Sequence, residues 1–252
     1  MKTVSFGTTT IYLPKTDSTN LEAWRNIKSR SIVEGTMIWT SDQTEGKGAG
    51  HNIWFSESEK NLTASFVIFP KFLEAEKQFF LNKVISLAVR ESVYNLLKKK
   101  HEVFVKWPND IIVNNSKVAG ILIENTILGN NLNETVIGIG LNVNQDYFPS
   151  NLNSPTSLKN ITNKTLEIYK CAEEICKQLT KWYNLLIKSD YQSIDNKYLS
   201  HLYRLNEYAD YKADGKVIEG KIIGISEYGK LRLMLSTGET REYAFKEVEL
   251  IY

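Results

Sequence analysis

Lysine and aspartate set beside β-branched runs are the residues whose types and spacing point most directly to chemistry. In VKWPNDIIVNNSKVAGILIEN, residues 105–125, the runs Ile111-Ile112-Val113 and Ile121-Leu122-Ile123 read as buried strands. Lys106, Pro108, Asn109 and Asp110 precede the first run, and Lys117 and Gly120 precede the second. Buried ammonium and carboxylate groups are costly unless paired, so these need a partner from a neighbouring motif or from a ligand. Three more polar clusters stand at strand ends or in glycine-bearing loops. They are Ser18-Thr19-Asn20, the stretch from Gln43 to Trp54 with Gly46-Lys47-Gly48-Ala49, and Gly138-x-Gly140-x-Asn142. Singly, each has an ordinary explanation as an N-cap, a flexible loop, a turn or a tight strand crossing.

The elements that must hold these clusters follow from residue pattern. TIYLPKTDSTNLEAWRNI reads as strand, turn and helix, with Asp17, Ser18 and Thr19 each suited to cap the helix and Glu22 in capping-box register with Thr19. EGTMIWTSDQTEG is a short strand entering a loop, and NLTASFVIF is another strand. A helix is predicted over 74–100, with Phe80, Val84, Leu87, Ala88, Val93 and Leu97 on one stripe and Lys98-Lys99-Lys100 complementing its C-terminal dipole. Runs near 103–106, 110–114, 118–124 and 134–140, separated by turns such as Asn114-Asn115, predict strands paired mainly antiparallel. A second long helix is predicted over 165–188, carrying Leu166, Tyr169, Ile175, Leu179, Trp182, Tyr183 and Leu186. After residue 204, Asp214-Gly215, Tyr228-Gly229 and Thr237-Gly238 punctuate short β-rich runs, the texture of a small barrel or meander. The expected fold is α+β: a mixed, largely antiparallel sheet flanked by helices over 1–204, then a small β domain over 205–252.

Several function classes are disfavoured. Lys plus Arg (31) nearly balances Asp plus Glu (29), so no global field recruits nucleic acid or an anionic membrane. No apolar run approaches the roughly 20 residues of a spanning helix, and MKTVSFGTTTIYLPK lacks a signal-peptide pattern, so a cytoplasmic location and no membrane partner are expected. Cys171 and Cys176 lie about 140° apart around the second helix, in keeping with free thiols in a reducing compartment. His51, His101 and His201 are scattered, and no metal site is expected. GKVIEGKI matches a phosphate loop until Ile222 stands where Ser or Thr is required, and GIGLN lacks the third glycine of a dinucleotide fingerprint. No G-x-S-x-G elbow supports serine hydrolysis.

In order, TDSTN, QTEGKGAGHNIW, KWPNDIIVNNSKVAGILIE and GIGLNVN resemble the successive signature motifs of biotin protein ligases, and the terminal β-rich segment is similar to that family's small SH3-like domain. The resemblance covers nearly the whole catalytic region. It implies a class II synthetase-like catalytic domain that attaches biotin to a lysine of a biotin carboxyl carrier protein through biotinyl-5'-AMP. ATP and biotin are then substrates, and Mg²⁺ enters with ATP. By resemblance, Lys117 bridges biotin's carboxylate and the α-phosphate, Asp110 faces the incoming carrier lysine, and Lys47 is a second cation. The ureido ring and its surroundings fall to Ser18, Thr19, Asn20, Gln43, Lys47, Gly48, Ala49, Lys117 and Gly120. The nucleotide falls to Gly46, Lys47, Trp54, Lys106, Asn109, Lys117 and Asn142.

The chain also departs from the family. Its loop is usually close to GRGRRGR and here reads GKGAGHN, so Lys47 replaces an arginine without the planar fork, Ala49 has no donor, and His51 replaces a glycine. About ten residues precede the first motif, so no helix-turn-helix and no specific DNA partner are expected; a homodimer stays open. Two alternatives compete. A lipoate or octanoyl transferase shares fold and acyl chemistry but needs a plain apolar tunnel rather than a hydroxyl and carboxamide cluster. A non-catalytic module using its C-terminal barrel on RNA or peptide lacks a stacking-aromatic motif over 205–252.

Overall fold

The structure is a computed structural model that describes residues 3–50, 52–150 and 152–251. His51 lies outside the described residues. A seven-stranded mixed sheet runs in the order β1-β2-β3-β7-β6-β5-β4. Its strands are β1 (Thr10–Thr16), β2 (Met37–Gln43), β3 (Leu62–Ile68), β4 (Val103–Lys106), β5 (Asp110–Val113), β6 (Ser116–Leu128) and β7 (Asn131–Leu141). Only β1 and β2 pair in parallel, with α1 (Thr19–Lys28) making the crossover between them. The remaining neighbours are antiparallel, as the short turns joining β4, β5, β6 and β7 in succession require of those three pairs. Asn114 and Asn115 both take left-handed φ, 49° and 63°, which closes the β5–β6 hairpin.

Strand alternation sorts the sheet's residues onto two faces. On one, Phe66, Ile68, Ile137 and Leu141 join the main core with residues of α2 (Gln78–Leu96), α4 (Ile168–Ile187) and α5 (Tyr191–Leu199). On the other, Ile38, Val67 and Val136 meet Ala23 and Ile27 of α1. That helix covers only part of its face. Beyond it the same face carries Gly138, Gly140 and Gly120, where nothing but backbone stands.

A five-stranded antiparallel sheet, ordered β11-β10-β9-β8-β12, follows. It comprises β8 (Tyr208–Ala213), β9 (Lys216–Ile225), β10 (Leu231–Leu235), β11 (Thr240–Tyr243) and β12 (Val248–Leu250). The phosphate-loop lookalike is β9 and the turn before it. The approach to this sheet covers the β4 edge: Val105 donates to the His201 carbonyl and Tyr203 donates to that of Val105, both at 2.8 Å. Trp107 Nε1 then donates to the Gly229 carbonyl at 2.9 Å. Gly229 has φ 83°, and a β-carbon there would lie 2.4 Å from a ring carbon of Phe79 in α2.

Some expectations change. Ser18, in extended conformation, is the N-cap of α1 without a side-chain cap bond, and Glu22 binds Arg25 and Asn26 instead of completing a capping box. The helix predicted over 74–100 is a 3₁₀ turn, Ala75–Lys77, followed by α2, which ends at Leu96. Lys98 and Lys99, with φ of 55° and 59°, turn the chain away just past the C-terminal end of α2. Tyr169 is 57% exposed and leaves the predicted core stripe of α4. Two short helices, α3 (Leu158–Thr162) and α5, were not predicted, being too short for a full amphipathic period. Both cysteines are free, and burial pushes the thiols of Cys171 and Cys176 up to about 12 and about 11.

The bond from Trp107 ties the β4–β5 turn to the second sheet. Trp107→Phe keeps apolar bulk and removes the donor, so thermal unfolding should show a loss of about 0.5–1.5 kcal/mol. An unchanged melting temperature would mean that the Trp107 bond adds nothing to the backbone pairing of Val105 and the apolar contacts between the two sheets.

Candidate functional site

Register places Asp110 opposite Gly120, Gly120 opposite Gly140, and Gly140 opposite Thr63 in one row across β5, β6, β7 and β3. The row beside it holds Leu122, Gly138 and Ser65. Glycine inside a strand weakens it, and its use here is close approach. A β-carbon on Gly140 would lie 2.2 Å from the Trp54 indole, one on Gly120 2.9 Å from it, and one on Gly138 2.4 Å from Asn20 Oδ1. The glycines form a floor without side chains, and other groups are seated on it.

Lys117 reaches this floor because β6 is irregular. Lys117 and Gly120 are three residues apart, and regular alternation would set them on opposite faces. The register shifts between Ile111 and Ile112, so that Ile111 faces Ala119 and Ile112 faces Lys117, leaving Val118 as the extra residue of a bulge. A β-carbon on Gly120 would accordingly lie 3.4 Å from Lys117 Nζ. The ammonium pairs with Asp110 Oδ1 at 2.6 Å and stands 5.5 Å from the Trp54 ring centre. Each of the two charges thus finds the other as partner. Asn109 holds the strand start in place: its Nδ2 donates to the Ile121 carbonyl at 2.6 Å, and Ile121 donates back to the Asn109 carbonyl at 3.0 Å.

At the other end of the floor lies a hydroxyl and carboxamide cluster. Gln43 Oε1 accepts from the Thr19 amide at 2.9 Å and faces the Thr19 hydroxyl at 3.3 Å. The fully buried Ser65 hydroxyl stands 2.7 Å from Thr19 Oγ1 and 2.6 Å from Asn20 Oδ1. Asn20 Nδ2 donates to Glu124 Oε2 at 2.7 Å, which also accepts from Trp24 Nε1 at 3.3 Å. Before the cluster, the Arg25 guanidinium beside Asp17 holds that carboxyl well below the usual carboxylate range, which clamps the entry to α1.

Residues 46–50 and 52–54 fold back over the floor and pair with one another. Gly48 donates to the Asn52 carbonyl at 2.8 Å and Trp54 to that of Gly46 at 2.9 Å. Trp54 Nε1 is buried with no hydrogen-bond partner among the described residues. Together these elements enclose a cavity of about 430 Å³, ample for a small ligand with a nucleotide-sized extension.

Ser18, Thr19, Asn20, Gln43, Lys47, Gly48, Ala49, Trp54, Lys106, Asn109, Asp110, Lys117 and Gly120 all line the cavity. Gly46 does not. A β-carbon there would lie 2.3 Å from the Trp54 carbonyl oxygen, so this glycine serves that pairing. Asn142 also stands away, 3% exposed, with its Nδ2 on the Thr156 carbonyl at 2.9 Å. Sequence reading overlooked Ser65 and Glu124. Their only signal is a polar residue within an otherwise apolar strand, which does not reveal which face it occupies.

A family model described as the Biotin/lipoate A/B protein ligase family matches residues 12–142, more than half of the chain. The chain is 26% identical to the bifunctional ligase/repressor BirA of Bacillus spizizenii, over 99% of this chain and 76% of that protein. It is 25% identical to a biotin–acetyl-CoA-carboxylase ligase of Paracoccus denitrificans, over 88% of this chain and 92% of that protein. Among solved structures, the biotin protein ligase from Aquifex aeolicus in complex with biotin and ATP is similar at a TM-score of 0.79 and 26% identity, over 97% of this chain and 99% of that one. The matched region carries both the cluster around Gln43 and the Lys117–Asp110 pair, and the chain belongs to the biotin/lipoate A/B protein ligase family, as an enzyme of its biotin protein ligase branch.

Proposed function

We propose that this enzyme condenses biotin with ATP to biotinyl-5'-AMP and transfers the biotinyl group to a lysine of a biotin carboxyl carrier protein. The observation that carries the reading is the glycine floor, with hydroxyl and carboxamide groups at one end and a lysine–aspartate pair at the other. Biotin's ureido ring has two N–H donors and one carbonyl. Ser18, Thr19, Asn20 and Gln43 and the backbone at Gly120 are the groups of matching polarity. A plain acyl tunnel, as a lipoate substrate would need, has no use for them.

In the first step a carboxylate oxygen of biotin attacks the α-phosphorus and pyrophosphate leaves with the electrons of the broken P–O bond. Two anions approach, and a cation between them removes the repulsion. Lys117 takes that place, released from Asp110 toward the phosphate, and Lys47 and Lys106 add positive charge at the rim. In the second step the carrier amine attacks the acyl carbon, AMP leaves, and the amine loses one proton. Asp110, at the edge of the floor beside Lys117, faces the incoming amine and orients it by charge and hydrogen bonding. Catalysis is then positioning and electrostatic stabilisation.

Mg²⁺ is proposed to enter on the ATP phosphates. We place the boundary between catalytic and small β domains near residue 204, and the site of action in the cytoplasm; among the described residues no helix is long and apolar enough to cross a membrane. A homodimer fits the proposal and is not required by it. DNA is not proposed as a specific partner, since the formal net charge is only +2.

Lys117→Ala should abolish biotin-dependent pyrophosphate release, a loss of ~2.7–4 kcal/mol in the transition state. Near-parental release would remove Lys117 from the chemistry, and release with lipoate in place of biotin would favour the transferase alternative. Gly138→Ala drives a methyl group into Asn20 Oδ1, so calorimetry should find biotin bound at least about tenfold more weakly, with nucleotide binding retained. Adding biotin and ATP should slow hydrogen exchange over residues 46–52, because the ligand offsets an ordering cost of roughly 1–2 kcal/mol per residue. Ala49→Arg, restoring a charge to that loop, should slow leakage of the adenylate from the enzyme; equal leakage would mean that the loop holds it by backbone contacts alone.

A further inference from the structure

Behind the cluster at the Gln43 end stands Glu124 of β6, which does not itself line the cavity. One oxygen of its carboxylate takes two neutral donors, Asn20 Nδ2 at 2.7 Å and Trp24 Nε1 at 3.3 Å. Those residues stand one turn apart on α1, so a single acceptor serves one face of the helix. Asn20 is 4% exposed, and its other end, Oδ1, meets the fully buried Ser65 hydroxyl at 2.6 Å. Ser65 in turn stands 2.7 Å from Thr19 Oγ1. Glu124, Asn20, Ser65 and Thr19 thus form one chain of hydrogen bonds, of which only Asn20 and Thr19 border the cavity.

A chain of this kind can run in two senses, and a ligand meets a different Thr19 in each. A carboxamide can turn over with little change of shape, and a hydroxyl has one proton to give. A carboxylate has none, so Asn20 must direct Nδ2 toward Glu124 and Oδ1 toward Ser65. The single Ser65 proton goes to Oδ1, and the contact between Ser65 and Thr19 is then made by the Thr19 proton. The 3.3 Å between Thr19 Oγ1 and Gln43 Oε1 is longer than either Ser65 contact, in keeping with a proton on the Ser65 side. Thr19 Oγ1 therefore keeps both lone pairs for a donor in the cavity. Gln43 Oε1 is engaged by the Thr19 amide, which leaves the carboxamide nitrogen as the donor end of Gln43. Without Glu124, Asn20 could turn over, Ser65 would donate to Thr19, and one of those lone pairs would be occupied.

We infer that Glu124 is a positioning residue for substrate recognition: acting through Asn20 and Ser65, it fixes Thr19 Oγ1 as an acceptor and selects a ligand that presents an N–H donor there, as a cyclic urea does. The inference rests on the biotin reading proposed above. Glu124 touches no ligand itself. It sets the polarity of the buried chain before binding, and a site so fixed rejects a ligand whose donors and acceptors run the other way.

The test measures biotin-dependent exchange of pyrophosphate into ATP in the parent, Glu124→Met, Glu124→Gln, Asn20→Asp and the double variant Asn20→Asp/Glu124→Gln. Glu124→Met keeps bulk and removes the acceptor, so the KM for biotin should rise about tenfold, with kcat and the KM for ATP within about twofold of the parent. Glu124→Gln keeps an acceptor oxygen and should stay within about threefold of the parent. Asn20→Asp sets two carboxylates against each other. Adding Glu124→Gln to it should lower the KM for biotin by at least about tenfold, because the amide introduced at position 124 donates to the carboxylate introduced at position 20, which still accepts from Ser65. A KM for biotin within about twofold of the parent in Glu124→Met, or a double variant no better than Asn20→Asp, would overturn the inference. If Glu124→Met does not fold, the double variant decides. A parent that exchanges no pyrophosphate with biotin would instead defeat the proposed reaction. The chain then stands or falls by thermal melting of the ligand-free proteins, in which Glu124→Gln should raise the melting temperature of Asn20→Asp.

Discussion

Close approach of side chains to bare backbone at Gly120, Gly138 and Gly140 is the constraint on which the rest of the site depends. Three glycines within two adjacent strands sacrifice side-chain packing in the middle of a sheet. The sheet tolerates them because its opposite face is fully packed, with Phe66, Ile137 and Leu141 buried against the helices. What the front face loses in burial it gains in depth. An indole and a carboxamide lie where β-carbons would be, and an extended ligand has a flat surface to follow from the Gln43 cluster to Asp110.

Charge at the two ends is arranged differently. At the Gln43 end the polar groups are buried and bonded to one another, so they are fixed in direction before any ligand arrives. At the other end Lys117 and Asp110 are each partly solvated, with side chains 33% and 23% exposed. An ion pair so placed is held only weakly beyond the alternative of water, and its members can exchange partners when phosphate or amine enters. Rigid recognition and a reassignable charge pair therefore occupy opposite ends of one surface.

The second sheet is held by devices that serve the site as well as stability. Backbone pairing of Val105 with residues 201–203 protects an edge strand, and the Trp107 bond draws Gly229 against Phe79. Both contacts converge on the β4–β5 turn, which is also where Asn109 and Asp110 enter the cavity. The position of the second sheet and the geometry of the charged end are consequently not independent.

Residue order alone determined which groups are present and roughly which elements carry them. Alternating β-branched runs, asparagine and glycine turns and long apolar stripes act over a few residues, and so the antiparallel hairpins, the two long helices and the change of texture near residue 204 were legible. The four polar clusters were legible as clusters, and most of their residues do meet in one cavity. Only the tertiary structure decided that Asn142 turns to Thr156 and that Gly46 serves the pairing with Trp54. It alone placed Ser65 and Glu124 behind Asn20 and Lys246 beside Gly50. The same holds for the bulge at Val118, which brings Lys117 onto the face of Gly120 and Asp110. Strand patterning states that side chains alternate, while a one-residue slip that reverses the alternation is settled by what each face must pack against, and those partners come from strands and helices distant in the chain.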